Sequence, residues 1–358
     1  MKMTATQRAF NQSRVETFLG KAVNDFGAAV SAALVVIGDK LGLYKAMAGA
    51  PPMTPGELAQ RTGTDERYIR DWLVNQAASG YVDYNPATGR YSMPPEHALA
   101  LADDRSPFFV CGGFQVITAM MKSSGRIAEA FQTGKGMFWG EHDSDLFEGT
   151  ERFFRPGYAA NLISSWIPAL DGVKAKLEAG ARVADIGCGH GASTLIMAQA
   201  FPNSRFFGFD NHAPSIIHAR KAAFTAGVAD RLTFDIAGAT NFPGSGYDLI
   251  AFFDCLHDLG EPGGSLKRAL ETLTPEGTVL IVEPMAAESV EGNFNPVGRV
   301  YSGASVLCCT PNAIASGQTA LGTIATEEQL RMVVTAAGFT RFRRATETPF
   351  NRVFEARR

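Results

Sequence analysis

The chain lacks a strong charge of either sign: 33 Lys and Arg against 36 Asp and Glu leave a formal net charge of -3 over 358 residues. That balance removes the broad electrostatic pull on which nucleic-acid and anionic-membrane binders depend, so neither partner is expected. Cysteine is sparse too. Cys111, Cys188, Cys255, Cys308 and Cys309 are odd in number and carry no metal-ligand spacing, which indicates neither a disulfide framework nor a zinc site. A reduced, cytoplasmic setting is expected. Residues 1–19 hold charges of both signs and no signal-like apolar stretch, and the apolar run 26–43 is interrupted by Asp39 and Lys40. That run is expected to be a buried or dimer-forming helix. The glycine loop at 187–191 also lacks the Gly-x-Gly-x-x-Gly spacing that seats a dinucleotide pyrophosphate.

What stands there instead is informative. Residues 181–191 read Ala-Arg-Val-Ala-Asp-Ile-Gly-Cys-Gly-His-Gly, an apolar strand that delivers Asp185 into a loop with glycine at every second position. Without Cβ atoms at 187, 189 and 191 the backbone can turn sharply and approach a ligand closely. The following helix, 192–200, starts at the same point. A carboxylate ahead of that loop repels an anion and tolerates a ligand bearing a cationic amino group.

At 358 residues the chain is long enough for two or three domains. Residues 28–98 read as a separate unit: a long apolar helix ending near Met47, a helix opened by the capping box Thr54–Glu57 and stopped by Gly63, and a helix over 66–78 behind Thr64 and Asp65. Tyr81–Tyr84 and Tyr91–Met93 then form a hairpin, which completes a winged-helix pattern. Between 54 and 95, Arg61, Arg67, Arg70 and Arg90 face Glu57, Asp65, Glu66, Asp71 and Asp83, a local balance of four minus five, or -1. A DNA reader wants the opposite sign, so packing and dimerisation are the expected roles. Residues 99–175 read as helical and aromatic. Most of those rings are expected in the core, with Trp139, Tyr158 and Trp166 as candidates for a pocket wall and Gly134–Gly140 as a flexible lid edge. His142 is a possible active-site group, with a solvated loop histidine as the plainer expectation.

From 177 onward strands and helices alternate, with strands expected at 182–186, 204–209, 232–237, 248–253 and 278–283 and helices near 192–200, 214–227 and 262–273. That order implies an α/β, doubly wound parallel sheet with its ligand crevice at the strand carboxyl ends. Read in turn, those ends offer Asp210, able to accept both hydrogen bonds of a ribose diol, then Gly238 and Ala239, then Phe253, Asp254 and His257. Asp210 could equally cap the helix at 214.

In this combination the chain resembles the class I S-adenosylmethionine-dependent methyltransferases, with the Asp-x-Gly-x-Gly-x-Gly loop 185–191 as the family's first motif. With a winged-helix unit and a helical middle ahead of it, the whole chain resembles the dimeric small-molecule O-methyltransferases of plants and bacteria. Leu256-His-Asp-Leu-Gly-Glu-Pro262 matches a bacterial form of that architecture. The resemblance implies a Rossmann-like seven-stranded domain, S-adenosylmethionine as cofactor, no metal, and a homodimer built through the N-terminal unit. It implies that Gly187 and Gly189 contact the methionyl part, Asp185 its ammonium end and Asp210 the ribose, with Gly238, Ala239, Phe253 and Asp254 completing the donor site. His257 becomes the general base and Glu283, at the end of the 278–283 strand, its orienting partner. Gly238 replaces an acid that many relatives place near adenine, and Ile324 replaces a second orienting glutamate.

The reading therefore divides the chain into a winged-helix dimerisation unit over 1–98, a helical linker and pocket region over 99–175, and a donor-binding domain over 176–358 with an insertion at 284–325. That insertion is expected to carry a helix bearing Tyr301, Cys308 and Cys309 over the acceptor pocket, with nothing near Cys308 to activate it. Strands at 341–346 and 350–355 close the domain. Methyl transfer to a small aromatic or apolar hydroxyl compound is the expected activity. The alternatives are an N- or S-methyltransferase that works by positioning alone and a winged-helix regulator that senses the donor.

Overall fold

A computed structural model describes residues 10–317 and 320–358; the start of the 1–19 segment lies outside the described residues. The chain divides into two compact units, Met1–Gln115 and Val116–Arg358.

In the first unit α1 (Gln12–Lys40) is opened by Asn11, whose side chain accepts from the Arg14 N–H. A single helix to Met47 was the expectation. Instead Gly42, at φ 68°, takes the left-handed turn that ends α1 and starts α2 (Leu43–Met47). The capping box of α3 (Pro55–Thr62) is formed in both directions, Glu57 N–H to Thr54 Oγ1 at 3.3 Å and Thr54 N–H to Glu57 Oε2 at 2.7 Å. Asp65 caps α4 (Glu66–Ala78), and the wing pairs β1 (Asp83–Asn85) with β2 (Arg90–Ser92) before α5 (Pro95–Leu101). Tyr44, Leu58, Trp72 and Leu73 fill the core beneath them.

The buried-helix expectation for 26–43 does not hold. Only Ser31, Ala32, Val35 and Gly38 of α1 are buried: Ser31 Oγ meets Asn75 and Ser79, and a Cβ at Gly38 would stand 2.6 Å from the Trp72 indole. Phe18, Leu19, Val23, Phe26, Val30 and Ile37 face outward. By length and composition α1 could cross a membrane. Arg67 pairs with Asp71, Arg70 with Glu66 at 2.8 Å and Arg90 with Glu57 at 2.6 Å, so these arginines spend their charge locally.

The second unit begins within α6 (Cys111–Met121) and continues through α7 (Ser124–Thr133), α8 (Ser144–Asn161) and α9 (Val173–Ala179). Its sheet is seven-stranded. The strands are β3 (Arg182–Ile186), β4 (Arg205–Asp210), β5 (Leu232–Ile236), β6 (Tyr247–Phe253), β7 (Leu273–Pro284), β8 (Arg341–Glu347) and β9 (Asn351–Arg357), in the order β5-β4-β3-β6-β7-β9-β8. The first five run parallel and the β8–β9 hairpin closes the edge antiparallel. Crossover helices α10 (Ala192–Ala200), α11 (Ala213–Thr225) and α12 (Pro262–Thr272) join them, while α13 (Pro296–Ala304), α14 (Thr310–Ser316) and α15 (Glu327–Ala336) follow β7. The parallel strands read as continuous apolar runs because both faces are covered, by one cluster around Val183, Phe206 and Leu249 and another around Ile186, Ile250 and Phe252. The strand order reverses at β3, which opens a crevice at the carboxyl ends of β3, β4 and β6.

The glycine loop is packed as tightly from below as it is open above. At Gly191, φ 82°, a Cβ would come within 2.5 Å of the Phe234 ring. Gly191→Ala should therefore cost about 1 to 3 kcal/mol and lower the unfolding temperature in a calorimetric scan, whereas an unchanged midpoint would mean that Phe234 can swing aside.

Candidate functional site

The crevice is a cavity of about 370 Å3 within the second unit. Its floor is the 187–191 loop, which is fastened to the end of β4: Phe209 C=O accepts the N–H groups of Gly187 at 2.8 Å and Cys188 at 3.1 Å. Asp210, the last residue of β4, accepts from Gly189 N–H at 2.9 Å through Oδ2 and from His212 N–H at 2.8 Å through Oδ1. Each oxygen thus keeps a lone pair for a ligand. At Gly189 the space where a Cβ would stand is open, so the loop presents bare backbone to the cavity. Burial raises the Asp210 carboxyl above its ordinary range while those backbone N–H groups pull it down.

Asp185 takes a different place from the one expected. It is fully buried beneath the loop and outside the cavity wall, with Oδ2 accepting from Ser193 at 2.7 Å and Thr194 at 2.6 Å. Both donors lie in the first turn of α10, so the carboxylate ties β3 to that helix. Oδ1 finds no partner among the described residues. Burial pushes the group up to about 6.

Gly187, Gly189, Asp210, Gly238, Ala239, Phe253 and Asp254 all face the cavity. The N–H of Gly238 is already bonded to Asn241 Oδ1 at 3.0 Å. Trp139 and Tyr158 stand on the wall; Trp166 and Tyr301 do not. Trp166 is 1 % exposed in the core beside Leu162 and Leu170, and Tyr301 spends its hydroxyl on Phe350 C=O at 3.0 Å. The Gly134–Gly140 segment is not loose. Gly136 backs directly onto α14, Met137 N–H donates to Pro311 C=O at 3.0 Å, and Trp139 N–H donates to Asn312 Oδ1 at 2.9 Å. His142 is buried rather than solvated, meeting Ser123 Oγ at 3.2 Å, and burial lowers its pKa.

His257 and Glu283 form one buried unit, 3 % and 1 % exposed, with Nδ1 2.8 Å from Glu283 Oε2. Burial alone would depress the imidazolium, but the Glu283 carboxylate and the Cys309 thiol outweigh it and hold the histidine well above its ordinary value. Neither residue lines the cavity. The histidine side chain also meets Cys309, the last residue of a π-helical stretch at Ser305–Cys309; His257, Asp258 and Cys309 bring ligand-type atoms within 4.8 Å of one another. Nothing in the cysteine spacing signalled that meeting, since a π-turn shifts side-chain phase by a residue. Reading from the sequence also missed Glu151, His190 and Asn312 on the wall. His190 was visible inside the loop, whereas Glu151 and Asn312 come from helices whose face only packing decides.

A parallel sheet reversing at β3, a glycine loop clasped to the next strand and an acid at that strand's end define the class I methyltransferase fold. Comparison with known proteins agrees: residues 28–103 match the Rv2258c-like winged HTH domain and residues 177–336 a methyltransferase domain. The chain thus joins a winged-helix unit to a Rossmann-like methyltransferase domain. It is 25% identical over 170 residues to 27-O-demethylrifamycin SV methyltransferase of Amycolatopsis mediterranei, 45% of this chain and 57% of that one. It is 32% identical over 108 residues to trans-aconitate 2-methyltransferase of Paracidovorax citrulli, 30% of this chain and 40% of that one. The matches therefore span about 57% and 40% of the length of these two curated relatives. Among solved structures, mitomycin 7-O-methyltransferase superposes with a TM-score of 0.70 at 20% identity, over 97% of this chain and 100% of that one. Human N-acetylserotonin methyltransferase, solved in complex with S-adenosylmethionine, gives 0.67 at 18% identity, over 99% of each. At these identities the likeness establishes the fold.

Asp185 makes a signed prediction. Its folded value, about 6, lies above the ordinary 3.8, so the folded chain holds the extra proton between those limits and stability falls as pH rises through that window. The size is on the order of 3 kcal/mol. In denaturant titrations at pH 4 and pH 7, Asp185→Asn should shrink the parent's fall by about that amount and leave the part due to Asp254 and Asp258, which burial raises to about 8 and about 7; a fall equal to the parent's would contradict the assignment.

Proposed function

We propose that the chain transfers the methyl group of S-adenosylmethionine to a small-molecule acceptor in this cavity. The observation that carries the reading is the pairing of bare Gly189 backbone with the Asp210 carboxylate, both open to one cavity. That is an arrangement for a methionyl chain and a ribose diol on the same ligand. The donor, when bound, supplies a sulfonium methyl whose displacement must be in line. The protein's own part is to hold the acceptor and manage its proton.

A hydroxyl acceptor, aromatic or otherwise apolar, is favoured, with Trp139, Phe147, Phe154 and Tyr158 offering apolar wall. His257 is the general base of this reading and Glu283 fixes its orientation. With its pKa raised, chiefly by the Glu283 carboxylate, the histidine keeps its proton to higher pH than a free imidazole, so turnover should rise with pH as that proton is lost. One observation favours a second reading: His257 stands behind the wall with Cys309 against it, which suits an N or S acceptor that needs positioning alone.

We infer a cytoplasmic homodimer made through the N-terminal unit. Leu19, Val23, Phe26, Val30 and Ile37 follow one another at steps of four, three, four and seven along α1 and are all exposed, a seam suited to a second helix. The locally paired arginines of the winged helix favour this over DNA binding or a donor-sensing regulator.

Incubation with methyl-labelled donor and a panel of phenols, amines and thiols tests the activity, and an unlabelled panel would contradict it. With a hydroxyl acceptor, His257→Ala should reduce turnover by roughly 100-fold or more, while unchanged turnover selects the positioning reading. Asp210→Ala should weaken S-adenosylhomocysteine binding in calorimetry by about 1.5 to 3 kcal/mol. Light scattering should report a dimer, and a monomer would remove the role given to α1.

A further inference from the structure

Asp254 is the one described non-glycine residue at positive φ, 50°, immediately after β6. Its N–H remains tied to Val282 C=O at 2.8 Å, and the next residue, Cys255, abuts the donor loop so closely that a Cβ at Gly187 would lie 2.9 Å from its Sγ. The left-handed turn therefore sits where β6 meets the 187–191 loop. The side chain is braced on both sides: Tyr158 Oη donates to Oδ2 at 2.9 Å and Asn351 Nδ2 donates to Oδ1 at 2.7 Å. Tyr158 is itself fixed by rings on three sides, Phe154, Trp166 and Phe253.

A carboxylate held this firmly in a buried wall ordinarily has a cation beside it. Asp254 has no Lys or Arg partner among the described residues, and no Lys or Arg lines the cavity. The charged groups that act on it are Glu283, which repels, and His257, which attracts. Burial first, and Glu283 after it, push its carboxyl up to about 8, which favours the acid near neutral pH, and an incoming positive group would stabilise the charged form. Each oxygen has one donor and room for another.

We propose that Asp254, braced by Tyr158 and Asn351, is the cavity's specificity residue, binding a positively charged organic group: the sulfonium of the donor or an ammonium on the acceptor. The inference rests on the methyl-transfer reading. It assigns the cavity a preference for cationic over neutral ligands, since a cation draws Asp254 into its charged form.

The test compares two ligands that differ in one charge. S-adenosylmethionine carries the sulfonium, and S-adenosylhomocysteine has a neutral thioether in its place. Calorimetry with both is run on the parent and on Asp254→Asn, a variant of nearly equal shape that tolerates the left-handed turn. Ligand-observed NMR on the S-adenosylhomocysteine complex then compares tyramine with N-acetyltyramine. If the sulfonium is the partner, the parent prefers S-adenosylmethionine by about tenfold or more and the variant does not. If the acceptor supplies the charge, the two donors bind alike while tyramine exceeds its acetylated form by a similar factor, a difference that the variant abolishes. Tyr158→Phe, which removes one brace and no charge, should shrink whichever preference is found and serves in its place should Asp254→Asn fail to fold. Preferences absent from the parent, or identical in parent and variants, would overturn the assignment. Failure of the parent to bind either adenosyl compound would instead overturn the methyl-transfer reading beneath it.

Discussion

The structure turns on the clasp between the glycine loop and the end of β4. Three N–H groups of the loop, those of Gly187, Cys188 and Gly189, are used on two consecutive residues, Phe209 and Asp210. That geometry requires backbone at φ 71° and 53° for Gly187 and Gly189, which only glycine adopts at no cost. Once it is made, the loop cannot drift, α10 starts where it must, and Asp210 faces the cavity instead of solvent. Asp185 supports the clasp from below. Its two short bonds to Ser193 and Thr194 lock the helix onto the strand, and the cost of a buried carboxylate is partly offset by those hydroxyls.

This division of labour explains why two acids so close in sequence act differently. Asp185 lies inside β3, opposite Gly208 on one side and Ala251 on the other, and has no route to the cavity. Asp210 ends its strand and turns outward. A third acid, Asp254, ends β6, and the three strand ends converge because parallel strands place their carboxyl termini on one edge. The His257–Glu283 pair forms a further layer behind that edge, Glu283 within β7 and His257 in the turn after β6, with Cys309 of the π-turn beside the histidine.

Much of the fold was legible from the chain. The capping box at Thr54, the helix at 192–200 and the strand at 182–186 have strong local signals, namely paired cap residues, flanking glycine and an unbroken apolar run. Less legible was anything set by tertiary packing. Gly42 breaks a helix that its apolar neighbours would continue, and α1 buries only a narrow strip, with room for no more than glycine at 38 against Trp72, while its larger apolar residues face outward. In the site, strand-end position guided well for Asp210, Gly238, Ala239, Phe253 and Asp254, which line the cavity, and failed for His257 and Glu283, which pair behind the wall. Aromatic identity was a poor guide. Trp139 and Trp166 are alike in type, yet one lies on the wall and the other in the core, and Asn241 takes the Gly238 N–H through a side chain whose reach no pattern announces.

A crystal structure with S-adenosylhomocysteine bears most directly on this account. The clasp predicts that both ribose hydroxyls lie within hydrogen-bond distance of the Asp210 carboxylate, with the amino-acid end over Gly187 and Gly189 and the loop unmoved. A ligand seated elsewhere, or an Asp210 carboxylate that keeps only its bonds to Gly189 and His212, would contradict it.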